Sequence, residues 1–245
     1  MTAPASAVHP APTAEPLLEL VDVHAGYGPI EVLHGISLQV MPGSVLALLG
    51  PNGGGKTSTL KVCSGLLPAT SGEIRVAGRK VNGVGATQLA DVGVCSIPEG
   101  RGIFANLTVR ENLWLAAGHR ASLAEMEEVA YRRFPRLGER RKQLAGTMSG
   151  GEQQMLALAR ALGTEPVVLL LDELSMGLAP LIVAQMYETV AQLAAEGIAV
   201  LVAEQFARTV LPIADSAALI LHGQVVQVGT PADVEEELTT HYLGG

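Results

Sequence analysis

The chain has 245 residues, of which 48% are apolar and 16% are charged. This composition excludes a disordered chain, and the length suffices for one large domain whose core needs no metal or disulfide staple. The formal net charge of −8 argues against a nucleic-acid partner, because binding to phosphate backbones needs a basic surface. Cys63 and Cys95 lie in apolar runs without metal-ligand or redox spacing, which predicts two small core residues in a reducing compartment.

Residues 1–16 are rich in Pro and Ala and lack the basic patch and apolar core of a signal peptide. We expect a disordered tail there. Although the mean hydropathy of +0.33 is high, the apolar runs are far shorter than the roughly 20 residues of a membrane-spanning helix. A cytoplasmic protein is therefore expected, with any membrane role depending on a partner.

From residue 17 onward, short apolar runs alternate with helical patterns, which predicts an α/β core. The inner runs are almost continuous Val, Ile and Leu, as in a parallel sheet covered on both faces. The candidate strands are Leu18–Val23, Ile36–Val40, Val45–Leu49, Val92–Ile97, Val167–Leu171, Ile198–Ala203, Ala217–Leu221 and Gln224–Val228. Helices are expected after Gly55, over Ala124–Phe134, after Ser149 and over Leu181–Ala195.

Residues 85–148 differ from the rest, since they carry many of the charges and show mostly helical patterns. We expect a helical lobe over about 86–149, inserted into a core lobe over about 17–85 and 150–245. No internal repeat occurs, so residues 17–245 are expected to form a single domain.

A glycine-rich loop follows the apolar strand Val45–Leu49 and fits the pattern G-x-x-x-x-G-K-[ST] in full. Glycines let successive amides converge on phosphate oxygens, and the following helix N-terminus adds a favourable dipole. Lys56 is expected to contact the β- and γ-phosphates, and the Thr57 hydroxyl to bind Mg²⁺. The predicted ATP-binding residues of the loop are Gly50, Pro51, Asn52, Gly53, Gly54, Gly55, Lys56, Thr57 and Ser58.

An acidic pair follows the apolar run Val167–Leu171, at the carboxyl end of a strand, where ligand sites of α/β proteins lie. Asp172 is expected to hold Mg²⁺ through water, and Glu173 to orient the water that attacks the γ-phosphate. Taken alone, such a pair also fits a helix cap or a solvated loop. Its combination with the glycine-rich loop favours the catalytic interpretation.

Many NTPases share the glycine-rich loop and the acidic pair, and residues 148–160 discriminate among them. Ser149 and Glu152 have the spacing of a capping box, which predicts at least a well-capped helix. Ser149, Gly150 and Gly151 also leave amides and a hydroxyl free at a helix N-terminus, which is a second potential anion site. One chain has no evident use for two such sites. In two chains packed head to tail, however, the second site of each chain would cover the ATP bound by the other.

With these motifs in order, the sequence after residue 16 resembles the ATP-binding cassette family, whose signature corresponds to residues 148–152. The resemblance implies an α/β fold: a RecA-like P-loop NTPase core with a mainly parallel sheet, an N-terminal antiparallel β subdomain and an inserted helical lobe. It implies that Tyr27 stacks on adenine and that residues 175–178 cross a dimer interface. It also implies contacts with the ATP of a partner subunit from Ser149, Gly150, Gly151 and Glu152.

Three positions depart from the family pattern: Glu99 stands where Gln is usual, Gln205 where His is usual, and Leu174 where Pro is common. Glu99 can still offer a carboxylate oxygen to Mg²⁺, but it adds repulsion unless Arg101 or the metal offsets it. A salt-bridged loop residue is the alternative. Gln205 can donate to the γ-phosphate but cannot exchange a proton, so catalysis is expected to rest on Glu173 with Gln205 as positioner and sensor.

The sequence resembles the LivF-type branch of the family, which imports branched-chain amino acids. The resemblance lies in the first two departures and in residues 147–156, 177–180 and 242–244. That resemblance implies the ATP-hydrolysing subunit of an importer at the cytoplasmic face of the membrane, with ATP and Mg²⁺ bound. The implied partners are a second cassette, two integral membrane permease subunits and, indirectly, a solute-binding protein. Phe104 and Trp114 are candidate permease contacts. The solute and the choice between homodimer and heterodimer stay open, although the resemblance favours a heterodimer.

Proteins with other functions carry some of the same sequence motifs. A soluble cassette ATPase of assembly or remodelling would keep every motif, although translation factors of this kind usually carry two cassettes. A P-loop kinase would lack the motif at 149–152, and a GTPase would need an N-K-x-D string, which the sequence does not contain. A binding module without hydrolysis is conceivable given Gln205, but Lys56, Asp172 and Glu173 argue against it.

Overall fold

The computed structural model describes residues 15–117 and 121–243, with side chains up to residue 238. Most of the expected tail over 1–16 therefore lies outside the described residues, as do the side chains of the motif at 242–244. No helix in the described ranges is long and apolar enough to cross a membrane.

The described residues contain ten strands and nine α-helices. The strands are β1 (Leu18–Tyr27), β2 (Ile30–Val40), β3 (Val45–Leu49), β4 (Ala69–Val76), β5 (Arg79–Lys80), β6 (Val94–Ile97), β7 (Val168–Asp172), β8 (Ala199–Glu204), β9 (Ser216–Leu221) and β10 (Gln224–Gly229). The helices are α1 (Lys56–Cys63), α2 (Ala86–Asp91), α3 (Val109–Ala117), α4 (Leu123–Arg133), α5 (Pro135–Glu139), α6 (Gly150–Leu162), α7 (Pro180–Ala195), α8 (Ala207–Val210) and α9 (Pro231–Leu243).

A six-stranded sheet in the order β10-β9-β3-β8-β7-β6 forms the centre of the molecule. Its neighbouring strands from β9 to β6 pair in parallel, and β10 pairs antiparallel to β9 at one edge. Every residue of β3, β7 and β8 is buried, as is typical of parallel strands covered on both faces. The carboxyl ends of these three strands therefore meet at one edge of the sheet, where the site lies.

The side chains of β3 alternate between two hydrophobic cores. Val45, Ala47 and Leu49 belong to the core that also contains the buried residues of α6 and α7. Leu46 and Leu48 belong to the core shared with α1 and with the antiparallel sheet β2-β1-β4-β5. The parallel core sheet with a separate N-terminal antiparallel sheet confirms the expected α/β class.

The N-terminal hairpin is longer than the apolar runs predict. β1 continues past Val23 to Tyr27, and β2 begins at Ile30 rather than Ile36, because the two strands pair as far as Tyr27 and Ile30. A two-residue turn joins the strands, and their register shifts between Leu20 and Val23, between Val23 and His24, and between Ala25 and Gly26. The polar strand β4 was missed altogether, since antiparallel pairing with β1 rather than hydrophobicity holds it in place.

The boundary of the helical lobe also differs from expectation. β6 lies inside the range 86–149, yet it pairs in parallel with β7 as an edge strand of the core sheet. Beyond it, α3, α4 and α5 pack on one another and on α6. We therefore propose that the helical lobe begins after Ile97. Its expected helix over Ala124–Phe134 is displaced by one residue, because Ser122 and Glu125 form a capping box.

Candidate functional site

The glycine-rich loop between β3 and α1 is held in place by contacts with the turn between β9 and β10. A Cβ atom on Gly50 would lie 2.2 Å from the carbonyl oxygen of Ile220, so only glycine fits there. Gly55, the N-cap of α1, has a φ of 112°, which also requires glycine. The carbonyl oxygen of Gly54 accepts from the amide of Gly223 at 2.8 Å. Local glycines and this tertiary contact together fix the loop.

Lys56 lies at the start of α1 and is only 4% exposed. Its ammonium donates to the carbonyl oxygens of Gly50 at 3.0 Å and Pro51 at 3.2 Å. The same nitrogen lies 3.6 Å from a carboxylate oxygen of Glu173. A buried charge needs such partners, and these contacts place the ammonium between the loop and the end of β7.

Asp172 and Thr57 meet across the site, with the Thr57 hydroxyl donating to the Asp172 carboxylate at 3.2 Å. Burial raises the pKa of Asp172, and the charges of Glu173 and Glu99 raise it further, while Thr57 and Lys56 oppose them. Three carboxylates therefore lie near one ammonium. Carboxylate and hydroxyl oxygens are ligands that Mg²⁺ prefers, but no group of three His, Cys, Asp or Glu side chains in the described part of the chain is close enough to hold a metal ion by itself.

Glu173 has an unusual backbone conformation directly after β7. Its φ is 49°, in the left-handed region that residues other than glycine rarely adopt. Its amide donates to the carbonyl oxygen of Ala203 at 2.9 Å. This bond to the end of the neighbouring strand holds the strained residue, and residues kept in such conformations concentrate at functional sites.

A cleft of about 640 Å³ is lined by predicted residues from four segments. The residues predicted to bind the chain's own ATP and Mg²⁺ that are not part of its lining are Tyr27, Gly50, Pro51, Gly54 and Asp172. The glycine-rich loop and α1 line one side of it. Residues from the ends of β6, β7 and β8 line the other, namely Glu99, Glu173 and Gln205. The structure thus brings together groups that stand more than 100 residues apart in sequence. Arg101, the residue expected to offset the charge of Glu99, donates to the side-chain oxygen of Gln153 on α6.

Tyr27 lies beside the beginning of α1 and is 46% exposed. A hydrogen bond with Ser58 is the main cause that lowers the pKa of its hydroxyl, and Lys61 also lowers it. The ammonium of Lys61 lies 3.4 Å from this hydroxyl and 5.6 Å from the ring centroid, so it contacts the polar end of the ring. The aromatic ring is thereby fixed next to the glycine-rich loop.

The motif at 149–152 forms the N-terminus of α6. The Ser149 hydroxyl accepts from the amide of Glu152, and the Glu152 carboxylate accepts from the Ser149 amide at 3.0 Å, which completes the predicted capping box. A Cβ atom on Gly151 would lie 2.6 Å from Ile182, so this glycine allows α6 to approach α7. None of these four residues is among the described residues that line the cleft.

Glu204 is a residue of the cleft to which the sequence assigned no role. It ends β8, is 1% exposed, and accepts hydrogen bonds from the amide and the hydroxyl of Ser175, both at 3.0 Å. The hydroxyl of Tyr187 on α7 is a third donor. The signal in the sequence is a single acidic residue that ends an apolar strand, and its burial depends on the sheet.

This arrangement defines a P-loop nucleotide-binding protein. It consists of a strand, a glycine-rich loop and a helix, with an acidic pair at the end of a neighbouring parallel strand. The profile of the ABC transporter family matches residues 33–175, which is more than half of the chain. The chain belongs to the ATP-binding cassette (ABC) transporter family.

Relatives and solved structures agree with this family over nearly the whole chain. The high-affinity branched-chain amino acid transport ATP-binding protein BraG of Pseudomonas aeruginosa is 41% identical over 94% of this chain and 100% of its own length. A probable branched-chain amino acid transport ATP-binding protein, LivF, of Archaeoglobus fulgidus is 33% identical over 90% of this chain and 94% of its own. A nucleotide-free ATP-binding cassette from an ABC transporter superposes with a TM-score of 0.81, at 25% identity over 91% of this chain and 95% of that one.

Proposed function

We propose that this chain is the ATP-hydrolysing subunit of an ABC importer for branched-chain amino acids or a similar small polar solute. The observation that carries the ATPase role is the pair of contacts at the cleft that joins Lys56 to Glu173 and Thr57 to Asp172. The 41% identity to BraG, a protein named for branched-chain amino acid transport, supports the class of solute.

ATP is the expected substrate of the cleft. The amides of residues 53–58 at the start of α1 suit phosphate oxygens, and Lys56 already has its ammonium at the loop. Thr57, Asp172 and Glu99 would hold Mg²⁺, because hydroxyl and carboxylate oxygens suit this cation and the Thr57 hydroxyl already contacts the Asp172 carboxylate. Bound Mg²⁺ would neutralise phosphate charge. Tyr27, fixed by Ser58 beside the loop, would stack on the adenine.

Glu173 is the proposed base for hydrolysis. Its carboxylate lines the cleft, and its backbone is fixed by the hydrogen bond to Ala203. A carboxylate in this position can orient the attacking water and accept its proton. Gln205 lines the same cleft from β8 and can donate to the γ-phosphate without taking a proton. We therefore propose that Gln205 positions and senses the γ-phosphate.

Two chains would work together. Ser149 is an exposed N-cap on α6, and its motif lies away from the cleft of its own chain. A helix N-terminus of this kind attracts anions, so Ser149, Gly150, Gly151 and Glu152 would contact ATP bound by a second cassette. Closure of the two cassettes would then drive the permease subunits between two states.

The helical lobe offers a surface for those permease subunits. Trp114 and Leu115 on α3 and Phe104 before it are exposed, although each is large and apolar. The guanidinium of Arg160 on α6 lies 5.1 Å from the centroid of the Phe104 ring. Exposed large apolar side chains are candidates for a protein interface, and docking there would hold the chain at the cytoplasmic face of the membrane.

Affinity purification from detergent-solubilised membranes tests this function. The bait is Glu173→Gln protein with ATP, which is expected to trap closed cassettes. Two hydrophobic permease subunits and a second cassette should co-purify, and the associated solute-binding protein would identify the solute. The matched control combines Glu173→Gln with Lys56→Ala and should lose the ATP dependence. Recovery of soluble proteins alone would contradict the importer and favour a soluble ABC ATPase.

A further inference from the structure

The buried carboxylate of Glu204 connects two neighbouring segments that line the cleft. One is the end of β8, which continues directly into Gln205. The other is the segment after β7, in which Ser175 follows Glu173 by two residues. Ser175 donates to this carboxylate twice, through its amide and its hydroxyl, both at 3.0 Å. A second link runs parallel to it, from the amide of Glu173 to the carbonyl oxygen of Ala203.

A hydrogen-bonding side chain is well suited to this position and an apolar side chain is not. Glu204 is almost completely buried, so its charge must be satisfied inside the protein. An ionised carboxylate has only acceptor sites, which match the three donors from Ser175 and Tyr187. Removal of the side chain would leave these buried donors unpaired, and the loop at 175–178 would lose the bonds that fix its first residue.

We propose that Glu204 is a positioning residue for ATP hydrolysis. By holding Ser175, it fixes the orientation of Glu173 relative to Gln205 and the course of the loop at 175–178 over the cleft. This inference rests on the proposed ATPase function and adds a residue to its machinery. Glu204 does not contact the reacting atoms in this role, so it should affect turnover far more than nucleotide binding.

The test compares Glu204→Ala with Glu204→Gln. Glu204→Ala is expected to lower kcat at least tenfold while the Kd for a fluorescent ATP analogue changes less than threefold. Glu204→Gln should retain much of kcat, because its amide oxygen can still accept from the Ser175 amide while its NH2 group donates to the Ser175 hydroxyl. Ser175→Ala should lower kcat, and Ser175→Thr, which keeps the hydroxyl, should restore it. Unchanged kcat in folded Glu204→Ala, or a Kd that rises in proportion, would overturn the proposal.

Tyr187→Phe is the matched control for a purely structural role. It removes the third donor from α7 and leaves both bonds to Ser175, so it should lower the melting temperature and keep kcat within twofold. An equal loss of kcat in Tyr187→Phe and Ser175→Ala would contradict positioning. If Glu204→Ala does not fold, the comparison of Ser175→Ala with Ser175→Thr tests the proposal by itself, because both variants keep the buried carboxylate of Glu204.

Hydrogen exchange in the nucleotide-free protein provides a readout that does not depend on activity. The amides of residues 175–178 should exchange at least tenfold faster in Ser175→Ala than in Tyr187→Phe. Equal exchange in the two variants would overturn the inference. Turnover that survives Glu173→Gln would contradict the proposed ATPase mechanism, and the exchange experiment would still decide whether Glu204 holds this loop.

Discussion

The hydroxyl of Thr57 donates to a carboxylate oxygen of Asp172 at 3.2 Å, although the two residues are 115 positions apart in the chain. The bond joins the helix after the glycine-rich loop to the end of a neighbouring strand. Both groups belong to the proposed Mg²⁺ site. Their contact shows that the fold itself brings the hydroxyl and the carboxylate together, and such preorganisation lowers the cost of binding a ligand.

Glu173 and Gln205 should differ in their effect on ATP turnover. Glu173→Gln removes the proposed base and should lower kcat at least ~100-fold. Gln205→Ala removes one hydrogen-bond donor to a charged group and should lower kcat by about tenfold. Steady-state phosphate release measures both, with binding of an ATP analogue as the control for the integrity of the cleft. The reverse order would show that the residues exchange roles.

Asp172→Asn should stabilise the nucleotide-free protein at neutral pH. The folded state raises the pKa of Asp172, mainly through burial, so folding favours the protonated carboxyl and ionisation weakens the fold as pH rises through the folded pKa. The Asn variant avoids that cost, and its melting temperature at pH 7 should rise by about 2–4 °C. The gain should fade as the pH falls towards the unfolded-state pKa of about 4, because the carboxyl then becomes protonated in both states.

Thermal unfolding between pH 4 and pH 8 checks this behaviour. Asp91→Asn, at an exposed carboxyl on α2, is the control and should show little change across the range. A gain at Asp172→Asn that does not vary with pH would refute the assignment to a buried charge. A loss of stability at pH 7 would show that the bond from Thr57 outweighs desolvation.

Gly151→Ala should separate α6 from α7. The added Cβ would lie 2.6 Å from Ile182, and overpacking of this kind costs about 1–3 kcal/mol of unfolding free energy. Ile182→Ala removes the opposing side chain, so the double variant should recover much of the loss. Denaturant unfolding of both single variants and the double variant measures the coupling. Strictly additive effects would mean that the contact does not limit the approach of the helices.

Trp114→Ala should detach the chain from its permease without disturbing the cassette. Trp114 is 60% exposed, and surface substitutions usually change stability by less than about 0.5 kcal/mol. Co-purification of the permease subunits with the Glu173→Gln bait should fall at least tenfold, while ATPase activity of the isolated chain stays within twofold. Val228→Ala, at an exposed apolar residue on the edge strand β10, is the matched control. Equal capture of permease by both variants would place the contact elsewhere.

The sequence by itself determined the class of fold and the chemistry of the cleft. A strand followed by glycines, Lys56 and Thr57 specifies a phosphate loop, because the loop depends on backbone freedom and on neighbours in sequence. The capping box of Ser149 and Glu152 is local for the same reason. The acidic pair after Val167–Leu171 was predictable because parallel strands place their carboxyl ends at one edge of the sheet.

Only the tertiary structure decided which residues are joined across the sheet. The strand β6 was predicted inside the helical lobe, and its pairing with β7 places it in the core. Arg101 could have faced Glu99, but the packing of α6 brings it to Gln153. Glu204 is an ordinary acidic residue in the sequence. It became a buried acceptor for Ser175 because β8 lies next to β7, and such long-range pairings leave no local pattern to read.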